Sequence, residues 1–212
     1  MADTPLITLA SEGESRIEIS KSIFIGMCAE VNTSEKAESF VAAVRAKYPD
    51  ARHTCYAWRT TGNGFMQKYS DDGEPSGTGG MPILSVLEKK NINNAVITVT
   101  RYFGGILLGK GGLVRAYSES ASSAVLDAGL ASVQKGIICE VKMAYDMSEK
   151  LLSQLRMDGW NVSDIRYSDI VAADIVCPEV DENRLIDFVI DRSNGRVTPV
   201  KTGDTEIRVP IA

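Results

Sequence analysis

The chain has 212 residues and a mass of 23.0 kDa, with 44% hydrophobic and 24% charged residues and a formal net charge of −5. That balance is globular rather than disordered, and no apolar run approaches the roughly 20 residues that cross a bilayer. Four scattered cysteines (Cys28, Cys55, Cys139, Cys177) and a single histidine, His53, argue against a disulfide scaffold, a zinc knuckle or an H-E-x-x-H metal site, and suit a reducing cytoplasm.

The charge is unevenly spread. Residues 1–136 carry 14 Lys+Arg against 14 Asp+Glu, and residues 137–212 carry 9 against 14, so the whole acidic excess lies in the last third. A phosphate-bearing partner is therefore expected on the earlier part.

Met1-Ala2-Asp3-Thr4-Pro5 has neither the basic nor the apolar region of a secretory signal. Arg16 to Val31 reads as extended strand interrupted at Gly26. Ser34 to Lys47 reads as a helix with Ala37, Phe40, Val41 and Val44 on one face, ended by Pro49. Ala51 to Thr60 and Phe65 to Tyr69 flank Thr61-Gly62-Asn63-Gly64, a hairpin signal. Met81 to Lys89 reads as a helix with Pro82 in its first turn, Ala95 to Arg101 as a central strand, and Leu113 to Ala128 as a helix of small residues. Gly129 to Gly136 is the expected boundary. Beyond it lie a strand Ile137–Tyr145, a helix Ser148–Met157, strands Asn161–Tyr167 and Val171–Cys177, a helix Asp181–Arg192 and a strand Val197–Val209. That β-α-β-β-α-β order is ferredoxin-like.

Two stretches stand out. One is acidic, Asp71-Asp72-Gly73-Glu74-Pro75-Ser76-Gly77-Thr78-Gly79-Gly80. Its acids either hold a cation or, as the favoured reading, cap helices and pair with arginines. The other runs from Thr100 to Tyr117 between a strand and a helix. There Gly104, Gly105, Gly109, Gly111 and Gly112 either let backbone approach an anion beside Arg101, Lys110 and Arg115, or allow close strand–helix packing. Gly104 to Lys110 matches the start of a P-loop, but Gly111 stands where a magnesium-binding Ser or Thr belongs. His53 and Cys55 share one strand face, either as a reactive pair or as structural residues, with Tyr56 and Trp58 expected in the core on the other.

Lys21-Ser22-Ile23-Phe24-Ile25, His53-Thr54-Cys55-Tyr56-Ala57, the acidic block to Thr78, and Arg101-Tyr102-Phe103-Gly104-Gly105 through Tyr117 together resemble the YigZ/IMPACT family. The resemblance implies an α+β protein. Residues 1–134 would form a ribosomal-protein-S5-domain-2-like domain, and residues 137–212 a ferredoxin-like domain similar to the last domain of elongation factor G. Eukaryotic members act in translational control by binding a large activator of an initiation-factor kinase, and bacterial members suggest nucleic-acid or ribosome association.

The leading expectation is a non-enzymatic, cytoplasmic, translation-linked protein that contacts RNA or a ribosomal surface through Arg101, Lys110, Arg115 and the five glycines. No cofactor, metal or membrane is expected, and no oligomeric state is assigned. One rival is a small-molecule enzyme using a cleft of His53, Cys55, Asp71, Asp72, Glu74, Ser76 and Thr78. The other is a protein-binding module with an apolar Ile106-Leu107-Leu108 tip.

Overall fold

A computed structural model describes residues 6–211, so Met1 to Pro5, read above as no secretory signal, lie outside the described residues. The chain is a mixed α+β protein of two units. One runs to Ser132 and takes in Val209 onward, and the other is Val133–Arg208.

The first unit opens with β1 (Leu6–Leu9), β2 (Gly13–Ile19) and β3 (Ser22–Glu30). What reads as one strand is thus an antiparallel hairpin, turning at Ser20 and Lys21, which both take positive φ (50° and 63°). Gly26 does not interrupt β3. It lies mid-strand because a Cβ there would sit 2.7 Å from the Ser120 carbonyl, and so lets a helix lie close on the sheet. Helix α1 (Ser34–Lys47) starts where Thr33 accepts the Lys36 N–H at 3.4 Å. Strands β4 (His53–Thr60) and β5 (Met66–Ser70), helix α2 (Gly80–Lys89), strand β6 (Ala95–Tyr102) and helix α3 (Gly109–Ala128) follow.

The sheet order is β2-β3-β6-β4-β5, antiparallel throughout, with β6 central. Side chains alternate across it. Phe24, Cys55, Ile97 and Val99 pack under α2 and α3 with Leu87, Ala116, Tyr117 and Ala121, while Tyr56, Trp58 and Val96 meet Ala37 and Val41 of α1 on the other face. Helix α3 begins four residues earlier than its apolar pattern suggests. Glycines propagate a helix poorly, but first-turn N–H groups need no partner within the helix, so Gly109, Gly111 and Gly112 cost least there.

Strand β7 (Leu130–Met143) starts at the residues expected to form a connector. The second unit continues with α4 (Tyr145–Met157), β8 (Asn161–Tyr167), β9 (Val171–Pro178), a 3-10 turn at Glu179–Asp181, α5 (Glu182–Arg192) and β10 (Val200–Ile211). Its strands lie in the order β10-β7-β9-β8, the split arrangement of a ferredoxin-like sandwich. Ile137, Val141, Leu151, Leu155, Ile175, Leu185 and Val189 fill its separate core. Pairing of β8 with β9 breaks between Ser163 and Arg166, around Asp164 at φ 42°.

Candidate functional site

At one end of the first sheet the two unusual stretches line a common cleft of about 680 Å³. Glu74 and Pro75 come from the loop after β5. Phe103, Leu107 and Leu108 come from the loop after β6, and Gly109, Lys110 and Leu113 from the start of α3. Asp50, Arg52 and His53 come from the chain entering β4.

Register explains the polar floor. His53 and Arg101 are cross-strand partners on β4 and β6, so both side chains stand on the face that carries α3. Arg101 is not a free cation. Its Nη1 donates to Glu74 Oε1 at 2.7 Å and its Nη2 to Ser22 Oγ at 3.4 Å, with the Arg101 and Glu74 side chains only 8% and 3% exposed. The Tyr117 hydroxyl donates to the same carboxylate oxygen at 2.8 Å, and its burial, first of all, pushes its pKa up. The Arg101 guanidinium lies 5.5 Å from the Phe24 ring centroid and 5.4 Å from that of Phe103. Its buried Nε has no hydrogen-bond partner. Arg101 thus ties the acidic loop to the sheet.

His53 Nδ1 lies 2.7 Å from the Asp72 carbonyl, which only accepts, so Nδ1 carries a proton and donates it there. Two residues on, the Cys55 thiol donates to the Asp71 carbonyl at 3.0 Å. Cys55 is fully buried, and that burial, aided by the charges of Glu74, Asp71 and Asp72, pushes its pKa up to about 12. A thiol held protonated at the bottom of the core is not a nucleophile, and Cys55 does not line the cleft.

The other acids are occupied as caps and ion-pair partners. Asp71 accepts the N–H groups of Gly77, Gly79 and Gly80, each at 2.9 Å, and so caps α2. Burial works to raise its pKa, but these three bonds outweigh it and hold the carboxyl below its usual range. Asp72 accepts from Arg45 at 2.6 Å and from the Thr54 N–H at 2.7 Å. Thr78 donates to the Pro75 carbonyl at 2.6 Å, and Ser76 is exposed beside it. No cluster of three or more His, Cys, Asp and Glu side chains suited to a metal ion occurs among the described residues.

The glycines divide by role. A Cβ on Gly104 would overlap the Lys21 backbone, so that glycine serves the β2–β3 turn, where its N–H also donates to Ser22 Oγ at 3.1 Å. Gly105 and Gly109 take positive φ (86° and 66°) and shape the loop around the exposed Leu107. Gly111 and Gly112 belong to the first turn of α3, which has no side-chain cap. Lys110 lines the cleft, while Arg115 is exposed one turn further along α3 and does not. Arg52 completes the site without a motif of its own to announce it, whereas Phe103 and Leu113 lie in the glycine-rich stretch singled out from the sequence.

The first unit is therefore an open-cleft domain built on two glycine-bearing loops, joined in one chain to a ferredoxin-like unit. Residues 20–125 match the Impact N-terminal domain, and residues 141–196 match a domain of unknown function, DUF1949. IMPACT family member YvyE of Bacillus subtilis is 34% identical over 197 residues, covering 93% of this chain and 90% of that protein. IMPACT family member YigZ of Escherichia coli is 47% identical over 110 residues, 51% of this chain and 54% of that one. A crystal structure of a hypothetical protein aligns with a TM-score of 0.58 at 30% identity, covering 93% of this chain and 97% of that one. The chain belongs to the IMPACT family.

Proposed function

We propose that this is a translation-linked regulatory protein of the cytoplasm whose first unit contacts RNA at the cleft. One observation carries the reading. The uncapped first turn of α3, Lys110 and Arg52 all meet at a single cleft. With the Arg101–Glu74 pair neutralised internally, the two cations outnumber Asp50 there, and the helix N-terminus adds partial positive charge. Arg115 extends the basic flank along α3. The translational part of the reading rests on family membership. The described residues include no helix long and apolar enough to cross a membrane.

The test is binding of structured RNA by the full chain as salt is raised. Two or three phosphate contacts give a log–log slope of about 2 to 3. Lys110→Glu with Arg52→Glu should weaken binding to a similar degree for every sequence, because phosphate contacts position without specifying. A flat salt response, or indifference to the double change, would sink this reading.

A second reading has its own support in Leu107, 87% exposed, beside the partly exposed Ile106. Such an apolar tip suits insertion into a protein partner. Ile106→Asp separates the two, since Ile106 is exposed but does not line the cleft: the change would abolish protein capture and leave RNA binding intact.

A further inference from the structure

We propose that the cleft receives one unpaired nucleotide of an RNA chain, its base stacked on Phe103 and its phosphate at the first turn of α3. The inference rests on the RNA reading above and narrows it from a phosphate contact to a single-strand pocket. Phe103 is 54% exposed at the wall of the cleft, yet it is not a loose surface ring. It lies against the Arg101 guanidinium, which in turn lies over the fully buried Phe24 and is fixed by Glu74. That stack makes Phe103 a backed platform, with more than half of its surface still open to take a further flat ring.

Size and chemistry agree with that occupant. About 680 Å³ falls within the ~300–1,000 Å³ of clefts that take small ligands. Such a cleft admits one splayed-out nucleotide, whereas duplex RNA is read across its outside through phosphates and 2′-hydroxyls. Leu107, Leu108 and Leu113 give the cleft an apolar wall for the base and sugar. Lys110 and the uncapped N–H groups of α3 lie beside that wall, where a phosphate would be held. His53 lines the cleft with its Nδ1–H committed to the Asp72 carbonyl, which leaves Nε2 for a ligand. A ring nitrogen at a cleft wall is what the edge of an unpaired base or a 2′-hydroxyl would use.

The experiment compares the full chain on a labelled single-stranded RNA of about 12 nucleotides and on the blunt duplex of the same sequence, by fluorescence anisotropy. The single strand is expected to bind at least about tenfold more tightly. Phe103→Ala should weaken the single strand by about fivefold or more and leave the duplex unchanged. Phe103→Leu keeps apolar bulk without a π-face and should fall with Ala, while Phe103→Trp should match or exceed the parent, a ranking that loss of fold would not produce. Equal binding of both RNAs, or single-strand binding indifferent to Phe103→Leu, would overturn the nucleotide pocket and leave phosphate contact standing. Absence of binding to either RNA would overturn both readings.

Discussion

His53 and Arg101 face each other across β4 and β6, yet one opens its ring to a cleft and the other is locked beneath it by Glu74. The difference comes from the acidic loop. Asp72 reaches the imidazole with a backbone carbonyl and leaves Nε2 open, whereas Glu74 reaches the guanidinium with a full negative charge.

Removing one half of that pair leaves the other charge buried. Arg101→Met is expected to destabilise the first unit by about 3–5 kcal/mol, read as a lower urea midpoint. Arg101→Met together with Glu74→Gln should recover part of the loss, because no uncompensated charge remains. If Arg101→Met unfolds at the parent midpoint and RNA binding alone is lost, Arg101 acts on the ligand instead.

Cys55 should resist alkylation. Burial pushes its thiol up to about 12, so at any pH between 6 and 9 the folded protein should be labelled far more slowly than the urea-unfolded chain at the same pH. Rapid labelling at pH 6 that disappears in His53→Ala would restore the reactive pair.

Asp71→Asn should cost about 0.5–2 kcal/mol at pH 7, since the amide retains only one oxygen for the three N–H groups of the α2 cap. The sign with pH follows from a folded-state pKa below the unfolded one. The carboxylate's contribution is complete above the unfolded value of about 4 and is lost as pH falls through the folded value. Unfolding curves of parent and variant should therefore converge in acid. A gap that stays constant from pH 7 to pH 2 would show that the charge is not what stabilises the cap.

We expect residues 1–136 to fold without residues 137–212, because each unit has its own apolar cluster. A cooperative thermal melt of the shorter chain is the expected result, and a broad, non-cooperative one counts against it. RNA binding by the shorter chain should be unchanged or tighter, since the removed segment carries the acidic excess. Loss of binding on that deletion would place the contact in the ferredoxin-like unit.

Helix α1 was legible in the sequence because the apolar period of Ala37, Phe40, Val41 and Val44 and the stop at Pro49 agree on where it runs. The turn at Ser20-Lys21 was not, since neither residue is a specialist in the left-handed region. The two loops could be singled out from their composition, and both do line one cleft. Which of their charges remain available could not, because Glu74 meets Arg101 only when chain 27 residues apart is brought together by β4 lying between β5 and β6. Phe103 illustrates the same gap. An aromatic in a glycine-rich loop looks incidental until the guanidinium behind it comes into view.

The break in β8 pairing around Asp164 has a consequence for how copies of the protein meet one another. β8 ends its sheet, and a straight outer strand offers its free N–H and C=O groups to any strand that approaches. Here the backbone kinks mid-strand, and an Asp164–Arg166 ion pair stands at the kink, so an incoming strand finds neither a continuous ladder nor a neutral edge. That flank is a poor template for fibre growth, and its irregularity protects solubility where a more regular sheet would invite stacking.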